Sequence, residues 1–298
     1  MSDAWIVGGA LRDELLERPV RDVDVAVAGD PARAARALAA ELKAPVFRLS
    51  EAFGAWRVID RRGGRVYDFA PLQGETIEAD LAKRDFTINA MARPVELEAL
   101  GGAASAADLV DPLGGRADLA SRTLRVLGPE AYESDPLRAL RLARFSAELG
   151  FAPDPETERL TRAAAPRVTE AAGERVFAEL RRLVIASGVL DGLALADRLG
   201  VLEAVLPELT ALHGVDQSHY HHLDVYDHTL EVVAETVAIE RDPGGAIGDD
   251  ALELGEHALG GHAGDARRAQ GRGRDRGLVA DEVQLAGEAR EAQDPQRV

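Results

Sequence analysis

Within the first 24 residues a Gly8-Gly9-x-x-Arg12-Asp13 segment is followed by Asp22-Val23-Asp24. A glycine pair lets the backbone turn where a side chain would block it. Free N–H groups at the start of a following helix attract phosphate oxygens. Two carboxylates at alternate positions of a strand point the same way, and held close together they repel unless a cation sits between them. Oxygen-only ligation of this kind suits Mg2+. Taken singly, a Gly-Gly is most often a turn and an Asp-x-Asp most often a solvated loop. Together and in this order they point to nucleotide chemistry.

These residues need a strand–turn–helix–strand frame, and the surrounding pattern supplies one. Trp5-Ile6-Val7 reads as a short buried strand, Leu11 to Leu16 as a helix, and Val23 to Val27 as an alternating strand. Pro31 to Leu42 is Ala-rich and helical, and Ala55–Ile59 and Arg65–Phe69 read as strands joined by the Arg62-Gly63-Gly64 turn. Residues 1–115 alternate strands and helices. Residues 116–212 read as almost wholly helical, with Asp111-Pro112-Leu113-Gly114-Gly115 as the turn before them. Residues 213–243 hold five of the seven histidines and a helix starting near Tyr226. Residues 244–298 carry no aromatic residue, many glycines and mixed charges, a composition that buries too little apolar surface to offset its ordering entropy. Disorder, or a shift of reading frame near Gly244, is expected there.

The 298 residues are 46% apolar, enough for one large or two to three small domains, and contain no cysteine, hence no disulfide or thiolate metal site. No apolar run reaches membrane-spanning length and no basic-then-apolar signal opens the chain. A cytoplasmic protein with no membrane partner is expected. The net charge of −17 disfavours nucleic-acid binding as a sum, but Arg138, Arg141 and Arg144 recur at helical spacing, and local clustering can override the sum.

Three further segments carry a family resemblance: Lys83-Arg84-Asp85-Phe86-Thr87-Ile88-Asn89-Ala90-Met91, Ser134-Asp135-Pro136-Leu137-Arg138-Ala139-Leu140-Arg141-Leu142-Ala143-Arg144-Phe145, and Glu174-Arg175-Val176-Phe177-Ala178-Glu179-Leu180. With the N-terminal cluster, these resemble the class II tRNA nucleotidyltransferase and poly(A) polymerase family, which includes the CCA-adding enzymes, over about residues 4 to 240. The resemblance implies an α+β nucleotidyltransferase head, a mixed β-sheet with helices, followed by an all-α neck and body. It implies metal-dependent addition of CMP and AMP from CTP and ATP to the tRNA 3′ end, without a nucleic-acid template. CC-only addition, A-only addition and poly(A) synthesis are rivals within the class. An inert RNA-binding protein is the rival outside it.

The resemblance also assigns roles. Asp22 and Asp24 would hold a Mg2+ ion bridging the triphosphate and the acceptor hydroxyl, with a second on the triphosphate. Asp68 is either the third carboxylate or a solvated strand-end acid. Gly8, Gly9 and Arg12 would hold the triphosphate, with Asp13 orienting Arg12. Arg84 and Asp85 would grip triphosphate and ribose, while Asn89 would either bond the nucleotide or cap the next segment. Asp135 and Arg138, three apart on one helix face, would read the incoming base, or simply pair with each other. Arg141 would reach the triphosphate, and Ser134 would cap the helix that Pro136 opens. Glu174, Arg175 and Glu179 would brace helices. The segment His221 to Thr229 resembles the opening of an HD-type metal phosphohydrolase domain, with His228 as first ligand, but no adjacent His-Asp pair occurs in the chain.

Overall fold

The computed structural model describes residues 3–96, 109–217 and 223–241. The expected HD histidines His221 and His222, and residues 244–298, lie outside them.

The alternating apolar stretches of the first hundred residues pair into one six-stranded sheet. The strands are β1 (Ala4–Val7), β2 (Asp22–Val27), β3 (Val46–Ser50), β4 (Ala55–Asp60), β5 (Arg65–Pro71) and β6 (Ala92–Pro94), in the order β3-β4-β5-β2-β1-β6. β2 and β5 run parallel and all other neighbours antiparallel. Neither β3 nor β6 was legible as a strand in the sequence. Helix α1 (Gly9–Leu15) leaves β1 at the glycine turn, and α2 (Pro31–Leu42) starts at Asp30, whose side chain accepts from Ala32 N. α2 covers one face of the sheet: Ala34, Ala35 and Leu38 pack on Val23, Val25, Val58, Tyr67 and Phe69. Because side chains alternate, Asp22, Asp24 and Asp68 stand on the other face.

α3 (Ile77–Leu81) and a 3-10 turn (Thr87–Asn89) carry the Arg84-Asp85 segment back toward β1. The helical half follows: α4 (Gly115–Ala120), α5 (Pro129–Ser134), α6 (Arg138–Leu149), α7 (Pro155–Ala164), α8 (Gly173–Val184), α9 (Val189–Arg198), α10 (Val201–Val205), α11 (Pro207–Thr210) and α12 (Val225–Arg241). A two-stranded pair, β7 (Thr123–Leu124) and β8 (Ala152–Pro153), interrupts it. The central α6 is buried on most sides, and at Gly192 a Cβ would meet Leu183 Cδ1 at 2.5 Å and Ala147 Cβ at 2.7 Å, so a glycine lets α9 close on it. Leu11, Phe86, Ile88 and Met91 share one core with Leu137, Leu140 and Phe145, so the sheet end and the helices are joined by apolar packing. No described helix is long and apolar enough to cross a membrane.

Candidate active site

Register places the acidic residues. Across the sheet, Arg57, Asp68, Asp24 and Val7 are successive partners on β4, β5, β2 and β1, so Asp68 lies directly beside Asp24. Arg57 holds Asp68 with two bonds, Nε to Oδ1 at 2.7 Å and Nη2 to Oδ2 at 2.6 Å. Asp22 and Asp24 make no hydrogen bond or ion pair among the described residues. Burial pushes the Asp24 carboxyl above its ordinary value; Arg84 opposes this, and the neighbouring charges of Asp68 and Asp22 add to it. Asp22 and Asp24 thus form an acidic edge with no bonded partner of their own among the described residues. No three His, Cys, Asp or Glu side chains converge as a metal cage among the described residues. A pair of unpartnered carboxylates is nonetheless the donor set of an ion that takes its remaining ligands from water and phosphate.

Beside this edge opens a cleft of about 520 Å3. Ten of the twelve residues expected to catalyse or to hold metal or nucleotide line it: Gly8, Gly9, Arg12, Asp22, Asp24, Arg84, Asp85, Asn89, Arg138 and Arg141. Its lining holds eight basic side chains and four carboxylates, so a chain of net charge −17 presents a locally positive cavity. Gly8 has φ +71°, a backbone conformation that favours glycine, and a Cβ there would push the overlying Arg84 guanidinium, whose Nη1 would lie at 2.8 Å.

The cleft wall is a chain of charge-assisted bonds linking the two halves. Asp13 accepts from Arg12 Nε and Nη2, each at 2.9 Å, as expected of an orienting acid. Arg12 Nη1 donates to Asn89 Oδ1 at 2.9 Å, and Asn89 Nδ2 donates to Asp85 Oδ1 at 2.9 Å. Asp85 also accepts from Phe86 N and pairs with Arg141 at 3.1 Å. Burial drives the Asp85 carboxyl upward, but Arg141, the bonds from Asn89 and Phe86, and Arg138 outweigh it and hold it below the usual carboxylate range. Beyond Arg141, Glu179 pairs with Arg144 at 2.5 Å. The Phe145 ring lies under the guanidinium groups of Arg144, Arg12 and Arg141 at 4.1, 5.1 and 5.7 Å.

Comparison with known proteins gives this cleft a family. The Poly A polymerase head domain matches residues 4–125, and the "Probable RNA and SrmB- binding site of polymerase A" matches residues 150–212. The chain is 40% identical over 245 residues to an A-adding tRNA nucleotidyltransferase of Deinococcus radiodurans, covering 80% of this chain and 53% of the relative. It is 45% identical over 181 residues to a CC-adding tRNA nucleotidyltransferase of Geobacter sulfurreducens, 61% of this chain and 40% of the relative. A Multifunctional CCA protein of Xanthomonas campestris is 38% identical over 257 residues, 82% and 60%. A solved tRNA-processing enzyme with CTP superposes with a TM-score of 0.61 at 30% identity, over 86% of this chain and 71% of that one. The chain belongs to the class II tRNA nucleotidyltransferase family. It spans 40 to 60% of the length of these three curated relatives.

The nucleotidyltransferase motifs are not all disposed as expected. Asp135 is not on a helix face with Arg138. It sits between α5 and α6 with φ −153° and ψ 94°, because the following Pro136 disfavours the helical conformation. Its carboxylate pairs with Arg175 at 2.6 Å, outside the cleft lining. Ser134 caps nothing at α6; its hydroxyl donates to Ala131 O at the end of α5, and α6 begins only at Arg138. Arg138 is occupied by backbone, donating to Lys83 O, Arg84 O and Ala131 O at 2.8, 3.0 and 3.1 Å. Asn89 neither caps the next segment nor hangs free, but bridges Arg12 and Asp85. Asp68 lies in register with Asp24 yet is taken up by Arg57.

Two residues of the site escaped the sequence. Buried Asp80 accepts from Arg84 Nε and Nη2 and from Gln73 N, fixing Arg84 over the glycine turn. Its spacing of four from Arg84 was the available signal. Arg57 gave none, since a cross-strand partner is visible only once register is known. In the C-terminal histidine region, His213 bonds Asp197 at 3.0 Å and stacks on Tyr226, and Asp224 caps Gly214 N and Asp227 N. These contacts tie α12 to α9 and form no metal site among the described residues.

Proposed function

We propose that the chain adds CMP and AMP to the 3′ end of tRNA without a nucleic-acid template, releasing pyrophosphate. The observation that carries this is the abutment of an unpartnered acidic edge, Asp22 and Asp24, on a cavity walled by Gly8, Arg12, Arg84 and Arg141. The head and RNA-binding matches and the names of the relatives support the same reading.

Asp22 and Asp24 would hold Mg2+, which lowers the pKa of the acceptor hydroxyl and neutralises charge on the transferring phosphorus. The chain's own residues bind and orient. Arg12, held by Asp13, and Arg84, held by Asp80, offer forked donors to phosphate oxygens. Asp85 is ionised at neutral pH and can accept from a ribose hydroxyl once Arg141 turns to the triphosphate. Arg138 anchors the carbonyls of Lys83 and Arg84, so its contact with the base requires a shift from this arrangement. Asp135 acts in base reading only if Arg175 releases it.

The test is incorporation of labelled CTP and ATP into tRNA ending at the discriminator base. Both nucleotides should enter once the chain meets a tRNA lacking its terminal CCA. CC-only, A-only or long A-tail products would each name a rival within the family. Binding of tRNA with no incorporation would leave the inert RNA-binding reading.

A further inference from the structure

The nucleotide cleft lies on one side of Asp24, toward β1, α1 and α6. The same register row runs outward on the other side, from Asp68 on β5 through Arg57 on β4 to Phe47 on the edge strand β3. All four side chains stand on one sheet face. α2 covers the opposite face, since Arg36 of α2 lies 4.7 Å over Trp56, the strand neighbour of Arg57 that points the other way. No described helix covers the outer part of the acidic face: Phe47 is 43% exposed there, an aromatic ring in water at the end of a row that begins with Asp24. Arg57 spends Nε and Nη2 on Asp68, and its Nη1 takes part in neither bond.

Displacement at a phosphorus is in line, so the acceptor oxygen enters opposite the leaving pyrophosphate. If the triphosphate fills the arginine-lined cleft, the acceptor strand has to come from the β5–β4–β3 side. Three strand spacings, about 14 Å, separate Asp24 from Phe47, a reach of the last few nucleotides of a single-stranded 3′ end. We infer that the β3–β4–β5 face is the platform for that acceptor end, with Phe47 stacking an unpaired base behind the reacting nucleotide and Arg57 facing its backbone phosphate. The inference rests on the nucleotidyltransferase reading and adds to it the path of the acceptor strand. An aromatic face stacks on any base, which suits acceptor ends whose discriminator base varies.

The test compares the full chain with Phe47→Ala and Phe47→Tyr. Phe47 is half in water, so neither substitution disturbs the core. Two measurements are made: KM for tRNA and for CTP during incorporation, and anisotropy of a fluorescent tRNA lacking CCA, which needs no turnover. Phe47→Ala should raise KM and Kd for tRNA about tenfold, leave KM for CTP unchanged, and be rescued by Phe47→Tyr. Unchanged tRNA binding in Phe47→Ala overturns the platform while wild-type incorporation leaves the nucleotidyltransferase reading standing. The reverse pattern, no wild-type incorporation but weakened tRNA binding in Phe47→Ala, overturns that reading and keeps the RNA surface. An equal loss in Phe47→Tyr would assign Phe47 to something other than stacking and overturns the inference as well.

Discussion

Asp24 and Asp85 both line the cleft, and the chain treats them in opposite ways. Asp24 stands on a strand beside Asp68 and Asp22 with no partner of its own, and its carboxyl is raised. Asp85 is fully buried, bonded by Asn89 and Phe86 and paired with Arg141, and its carboxyl is lowered. The first stores unbalanced charge where an ion and a phosphate would supply the balance. The second is already balanced by the protein and serves to fix the arginines around it. On the proposed function, the contrast would separate a residue that holds the metal from one that fixes the arginines around the nucleotide, and substitution should tell them apart.

The largest effect belongs to the open edge. Asp24→Ala should reduce incorporation by on the order of a thousandfold or more, with thermal stability unchanged or slightly raised, since a repelled carboxylate is removed. Near-normal turnover would exclude Asp24 as a metal ligand and erase the contrast. Asp85→Ala should do the converse to stability. It strips Arg141 and Asn89 of a shared buried acceptor and should cost about 2–3 kcal/mol in urea unfolding, less than a fully buried broken pair because Arg141 is 31% exposed. A variant as stable as the parent would show that the network is ornament and not scaffold.

Arg138 tests a finer distinction. Its three bonds to backbone carbonyls predict a loss of about 1–2 kcal/mol in Arg138→Ala. If it also reads the base, the CTP/ATP preference should blur. Lost stability with unaltered preference would leave Arg138 as a clamp between the Arg84 segment and α6 and nothing more.

What was legible in the sequence follows the range of the interactions. Gly8, Asp22 and Asp24 were readable because a turn and a period-two strand are local patterns. The helical half was readable from three- and four-residue spacing. Asn89 was singled out by its motif, but its bridge to Arg12 was not legible because Arg12 is 77 residues away, and Arg57 was not, because its role exists only through strand register. Asp135 was misplaced for a local reason that motif matching overrode: the residue before a proline seldom continues a helix. β3 and β6 were missed because they are edge strands, β3 half exposed and β6 only three residues long, with little apolar alternation to betray them.

The smallest effect is a shift in pH dependence, and its sign follows from the two carboxyls. Asp24 binds its proton more tightly folded than unfolded, so its ionisation costs stability, a cost absent below the ordinary value of 3.8 and complete above the raised one. Asp85 is the reverse: its stabilisation is complete above its ordinary value of 3.8 and is lost as pH falls through the lowered one. On acidification from neutrality Asp24 therefore takes up its proton first. Activity should fall while the fold, still supported by ionised Asp85, stays intact, giving a window in which the chain is folded and inactive. Arg84 is the charge that restrains Asp24. Arg84→Gln should move the acid limb of the normalised activity profile to higher pH, whatever it does to the maximal rate. A limb that stays put, or moves to lower pH, would mean that the titrating group is not Asp24 and that the open edge is not where ionisation controls the reaction.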